Sequence, residues 1–235
     1  MFVWIAKSTY EEPLCTHADH FDTNWAYGTA SYSKGVVILD QLSHIVGQET
    51  IDKSLKRYFN EWAYKHPNAS DFKRIVEKES NIELDWYFDY FVNTTKTIDY
   101  GIYAVKSTKN GTQIMLKKGE IPMPIELSIL LKDGSTYKFY IPTVLMRGEK
   151  ELNESVNVLP DWPWTNPFYP IRLDKAPSEI KEIQLHTTGH IADIEPLNDR
   201  IKLPDNWDWN KYKLRLNLLE KKKKGTIKKF VKIKK

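Results

Sequence analysis

Six histidines, one cysteine and a pair of closely spaced tyrosines are the residues through which this chain could do chemistry. His17 and His20 stand in H-A-D-H, and His186 and His190 in H-T-T-G-H. On a helix, either spacing could turn two imidazoles toward one metal ion. Neither pair has the glutamate of an H-E-x-x-H zinc helix, and His186 ends a predicted strand, so both read as polar loop residues. A metalloenzyme built on His17, Asp19 and His20 fits the composition but has no motif behind it. His44 falls inside a predicted helix and His66 precedes a proline. Cys15 has only His17 near it and reads as an incidental thiol. A glycine-rich phosphate loop and a G-x-S-x-G elbow are both missing, so spacing alone yields no complete active site.

One constellation remains, Tyr27-Gly-Thr-Ala-Ser-Tyr32-Ser-Lys34-Gly35. It opens a helix carrying Val36, Val37, Leu39, Leu42, Ile45 and Val46, with Thr29 or Ser31 as the expected cap and Gly47 as the stop. By residue type and position, a phenol at a helix start is a capping and packing residue.

The elements around it fall into two regimes. A second helix places Ile51, Leu55, Tyr58, Phe59 and Trp62 on one face and ends before Pro67. Ser70 or Asn68 caps a third helix through Phe72, Ile75 and Val76, and Asp85 is the expected cap of an aromatic fourth, Trp86 to Phe91. Near Asp99 the period changes to two. Tyr100 to Lys106 and Thr112 to Lys118 join through Asn110-Gly111, and Ile125 to Lys132 and Thr136 to Ile141 through Asp133-Gly134, both hairpin signals. Ile171 to Leu173 and Ile180 to His186 make about six strands, as in a small sandwich. Leu159 to Pro170 reads as a packed, proline-rich loop. The expected class is α+β, with helices over residues 1–97, an antiparallel β-sandwich over 98–203, and a short packed segment and disordered lysine-rich tail over 204–235.

The 235 residues carry 41% apolar and 28% charged side chains, which suits a globular chain and excludes a largely disordered one. No apolar run reaches the roughly 18 residues of a membrane span, and the first ten residues lack a signal-peptide layout. A single cysteine excludes an internal disulfide. The net charge of +4 hides an asymmetry: Lys221 to Lys235 holds nine lysines and no acid, so the preceding body is net acidic. A specific nucleic-acid-binding domain is therefore not expected.

The Tyr32-Ser-Lys34-Gly35 helix start resembles the segment that follows the zinc site in the aminopeptidase N and leukotriene hydrolase family of gluzincin metallopeptidases. Arg57-Tyr58-Phe59, Asp71-Phe72 and Leu84-Asp85-Trp86-Tyr87-Phe88 resemble elements that close that family's catalytic domain. Asp99-Tyr100 resembles the entry to its β-domain, so that the similarity runs from about Thr16 to Tyr103. The resemblance implies the helical end of a thermolysin-like catalytic domain followed by a β-sandwich. It implies zinc-dependent hydrolysis of peptide bonds at peptide N-termini, with Tyr32 stabilising the oxyanion and Tyr27 lining the substrate pocket. Zinc in that family is held by H-E-x-x-H and a downstream glutamate, and the peptide amine by G-x-M-E-N; this sequence has neither motif.

The chain is accordingly expected to be a C-terminal piece that binds no metal ion by itself and is inactive alone, with a separate chain as one source of the zinc site. Full-length relatives are often exported or membrane-associated, which leaves the compartment open. Phe2, Val3, Trp4 and Trp25 are expected to lie on an exposed apolar surface. The alternative is a non-catalytic module that binds an anionic membrane or RNA through its lysine tail.

Overall fold

A computed structural model describes residues 2–8, 10–205, 208, 212–217 and 229–234. Helix α1 (Phe2–Ala6) leads through an irregular stretch, with a single 3-10 turn at Ala18–His20, to Thr23. The Thr23 hydroxyl accepts a hydrogen bond from Ala26 N and so starts α2 (Asn24–Gly28). This helix does not stop: it widens into a π turn (Thr29–Lys34) and continues as α3 (Gly35–Val46). The expected caps Thr29 and Ser31 therefore lie inside the helix, and the Thr29 hydroxyl donates back to Trp25 O at 2.9 Å. Gly47, at φ +92°, ends α3 as expected.

Helix α4 (Gln48–Trp62) and α5 (Ala69–Ser80) follow. Asn68 caps α5, with Asp71 returning a bond to the Asn68 backbone. Helix α6 (Asp85–Tyr87) runs into a second π turn at Phe88–Val92. Asp85 is its first residue and not its cap; the carboxylate pairs with Lys73, while Glu77 accepts the Leu84 N–H.

The strands are β1 (Tyr100–Thr108), β2 (Gly111–Lys118), β3 (Ile125–Leu131), β4 (Thr136–Ile141), β5 (Val156–Val158), β6 (Phe168–Leu173), β7 (Ile180–Leu185), β8 (Arg200–Lys202), β9 (Tyr212–Asn217) and β10 (Lys229–Lys234). They form two five-stranded sheets, ordered β10-β9-β1-β2-β6 and β5-β4-β3-β7-β8. Both glycine hairpins form, with Gly111 at φ +121° and Gly134 at φ +92°. The second sheet is mixed and not purely antiparallel, because β5 returns parallel to β4. Pro170 lies within β6, an edge strand where its missing N–H costs no ladder bond.

One strand, β9, comes from the expected packed segment, and β10 comes from the expected disordered tail. Tyr212–Asn217 alternates apolar and polar residues, Lys229–Lys234 intersperses Phe230, Val231 and Ile233 with lysines, and the two pair as an antiparallel ladder, whereas a charge count alone reads as disorder. The expected disorder at Lys221 to Lys228, and the packing of Trp207 and Trp209, lie outside the described residues.

Alternate residues of each sheet enter one shared core. Ile102, Ile114 and Ile171 come from the first sheet, and Ile125, Leu127, Ile183 and Leu185 from the second. The same core continues into the helices through Leu42, Ile45, Tyr87 and Phe91. Full burial of such a side chain contributes about 1.5–3 kcal/mol. The two halves are thus packed as one body. Among the described residues, no helix is long and apolar enough to cross a membrane.

Candidate functional site

Tyr32 sits in the π turn, 72% exposed, and among the described residues none hydrogen-bonds its hydroxyl. Two residues on, Lys34 points the opposite way and is buried. Its ammonium donates to Glu11 Oε1 at 2.8 Å and to Thr94 O at 2.9 Å, and lies 5.1 Å from the centre of the Phe91 ring. A buried lysine is tolerable only with such partners. Burial raises the pKa of Glu11, and the bond to Lys34 partly opposes that. The Lys34 anchor holds the turn from inside while the phenol stands free outside.

The π turn adds one residue to the helix, rotating α3 by about 100° relative to α2. On α3 the residues at one- and two-turn spacing from Tyr32 are Val36 and Leu39, 69% and 37% exposed. On α2, Trp25 meets Trp4 and Tyr10 edge-on at 5.1 and 6.5 Å between ring centres. Tyr27 packs edge-on against Phe21 at 5.5 Å and is partly exposed. Of the residues expected on an exposed apolar surface, Trp4 and Trp25 are there, and Val3 packs partly against the core. The Phe2 side chain lies outside the described residues.

The other candidates scatter. His17 and His20 are exposed neighbours, 5.3 Å between ring centres, on the 3-10 turn. Cys15 is an exposed free thiol whose pKa partial desolvation pushes up, away from a reactive thiolate. His186 and His190 do not face one site. His190 Nδ1 donates to Asp40 Oδ1 on α3 at 2.7 Å, while His186 is buried beside Asp193 and Asp199.

His44 is more than a helix-interior residue. Its Nε2 donates to Pro124 O at 3.1 Å, and its ring lies 3.7 Å from Glu126 Oε1. Lys150 donates to both His44 O and Glu126 Oε1, closing α3 onto β3. Burial, then the Lys150 charge, lowers the His44 pKa to about 4. His44, Glu126, Lys150 and His190 line a cleft of about 420 Å³ at this junction. Sequence periodicity places His44 near the buried side of α3 but carries no signal for Glu126 or Lys150, which lie in other elements.

With this geometry in place, the similarities to known proteins can be assigned to parts of the molecule. Residues 6–91 match the family described as the Peptidase family M1 domain. The similarity to peptidase family M1 thus lies in the helical half. Over 137 residues the chain is 28% identical to the Tricorn protease-interacting factor F2 of Thermoplasma volcanium, covering 54% of this chain and 16% of that protein. In a crystal structure, it resembles Legionella pneumophila aminopeptidase A in complex with aspartic acid. That likeness has a TM-score of 0.51 at 13% identity and covers 72% of this chain and 18% of the other. It supports the fold, a helical end followed by a β-domain. The chain spans about a sixth of the length of these two relatives.

The family's zinc needs the H-E-x-x-H helix, which these 235 residues lack. Two groups of metal-capable side chains occur among the described residues: His186, Asp193 and Asp199, and Glu77, Glu83 and Asp85. Neither draws a residue from α2, the π turn or α3, so neither is a counterpart of that zinc site. The residues present do not fit the family's metal, and no part of a zinc reaction is assigned to them.

Proposed function

We propose that this chain supplies the oxyanion-stabilising side of an M1-type aminopeptidase active site, with Tyr32 as the hydrogen-bond donor. The observation that carries the proposal is the Tyr32-Ser-Lys34-Gly35 turn, where a buried ammonium pins the backbone and leaves the phenol exposed and unpaired. A fixed donor aimed at developing charge loses little reorganisation energy when the tetrahedral intermediate forms. Tyr27 is a wall of the same substrate pocket. The substrate class is a peptide with a free N-terminus, and the chain alone is inactive because it brings no nucleophile. A second polypeptide segment bearing the zinc site docks against Trp4, Trp25, Tyr32, Val36 and Leu39, a face too apolar to be left to water.

The test is reconstitution. The chain alone, and the chain mixed with or fused behind an M1 zinc-binding half, are assayed on aminoacyl fluorogenic substrates. The expected result is no turnover alone and turnover on combination. Removing the phenol hydroxyl by Tyr32→Phe then lowers kcat by about 10²–10³-fold, as for loss of one oxyanion donor. Full activity in the Y32F variant, or turnover by the isolated chain, would refute this reading.

A further inference from the structure

His186 offers a different opportunity, far along the chain from the M1 segment. Its side chain is 5% exposed, and among the described residues neither ring nitrogen has a hydrogen-bond partner. A buried imidazole in that state costs free energy unless something else engages it. The ring is directed at two carboxylates: Nε2 lies 3.7 Å from Asp193 Oδ2 and 4.0 Å from Asp199 Oδ1. Those distances are too long for hydrogen bonds. They are close to the span across a bound cation.

We propose that His186, Asp193 and Asp199 form a structural zinc(II) site that ties the 186–193 loop to the second sheet. One ligand atom from each residue lies within 4.8 Å of the others. A tetrahedral zinc with bonds of about 2.0–2.1 Å holds its ligand atoms about 3.3–3.4 Å apart. Each ligand atom has only to move inward by about half an ångström, leaving a fourth position for water. Imidazole with carboxylates is a borderline donor set that suits zinc better than calcium or magnesium.

The supporting shell is already built. Asp193 Oδ2 accepts the Tyr100 N–H at 2.6 Å and Oδ1 accepts the Glu195 N–H at 2.7 Å, which fixes the carboxylate in direction. His186 N donates to Glu126 O, and Asp199 O accepts from Leu185 N, so both ligands hang from the strand ladder. The Tyr100 ring stands edge-on to His186, 6.0 Å between centres, and walls off one side. The three ligands come from the end of β7, the following loop and the start of β8. An ion there would crosslink three segments, and it departs from the expectation that this chain binds no metal.

The experiment uses the full chain, stripped with chelator and titrated with ZnCl2, and separately with CoCl2 for its visible absorption. The expected result is one zinc retained per chain after dialysis, a rise in Tm with zinc, and cobalt bands of a low-coordinate N/O site. His186→Asn should weaken zinc binding by at least the roughly 10–100-fold seen when only an outer partner of a ligand is lost. The exposed His17 and His20 are controlled by an H17N/H20N variant, which should bind as the unaltered chain does. Should H186N fail to fold, D199N and the ¹⁵N shift of His186 Nε2 on adding zinc give the same answer. Zinc that does not bind, that binds equally well in the foldable ligand variants, or that is lost in H17N/H20N overturns the site. So does an imidazolium at His186 that persists in saturating zinc, which would assign the cluster to a buried ion pair.

Discussion

On α3, Leu42 is completely buried, while Leu39, not quite a turn earlier, shares an outward face with Val36 and Tyr32. In β3, by contrast, Ile125, Leu127, Ile129 and Leu131 all point into the core. Helix α3 keeps apolar side chains on both of its faces, whereas the fully buried residues of β3 share one. A strand with a single buried face satisfies its apolar residues within the chain. A helix with apolar residues on two faces satisfies only one of them, and its other face is left for a further surface. The difference separates a strand whose fully buried residues share one face from a helix that exposes apolar residues on its second, the face that the proposed zinc-bearing segment would cover.

Five substitutions, two of them read against pH, sharpen that contrast. The largest effect is expected for Lys34→Met, which strands Glu11 in a buried setting and should cost about 3–5 kcal/mol at neutral pH by denaturant unfolding. Because burial already raises the Glu11 pKa, the variant should regain stability as pH falls and the carboxyl protonates. A variant with unchanged stability would show that the turn is held by something else.

Next, Leu42→Ala should cost about 2–5 kcal/mol, the range for emptying a packed core site. Leu39→Ala, on the same helix, should stay within about 0.5 kcal/mol in the isolated chain. Similar losses from both would mean that the outer face of α3 is already covered and the contrast is false.

The junction between the halves should respond to pH. His44 is neutral in the fold with a pKa of about 4, below the ordinary value near 6.5 that it regains on unfolding. Its contribution is therefore complete above about pH 6.5 and is lost as pH falls toward 4, since the unfolded chain then takes the proton more readily. Glu126, whose pKa is also lowered in the fold, adds to the loss in the same direction at the acid end. In a thermal-denaturation series, His44→Gln should flatten the slope between pH 6.5 and 4.

The smallest effect is expected for Tyr32→Phe on folding. A hydroxyl that is exposed and, among the described residues, unpaired should change the stability of the isolated chain by less than about 0.5 kcal/mol, although it is the proposed oxyanion donor. A larger loss in a melt would make Tyr32 a structural residue.

Both hairpins were legible because Asn110-Gly111 and Asp133-Gly134 demand positive φ at the glycine, a local requirement that packing does not override. The same holds for Gly47 and for Asn68 with Asp71. The start of the first strong helix was not legible, since Thr29 and Ser31 look like caps while Thr23 is the one used. The three-residue strands β5 and β8 carry too few alternations to rise above loop composition, and in β10 the adjacent Phe230 and Val231 break the period among the lysines.

For the candidate site, Tyr32 and Tyr27 could be singled out from the chain because their neighbours in sequence form the motif. Its support could not, for Lys34 is held by Glu11 and Thr94, 23 and 60 residues away. Local sequence therefore determined where helices and hairpins begin and turn, because caps and glycine torsions are settled within a few residues. Tertiary structure decided which face of α3 stays outside, that a π turn carries Tyr32, and that His186 meets Asp193 and Asp199 while His190 meets Asp40. Those outcomes depend on burying charge and apolar area against distant segments, a free energy that no local stretch of chain contains.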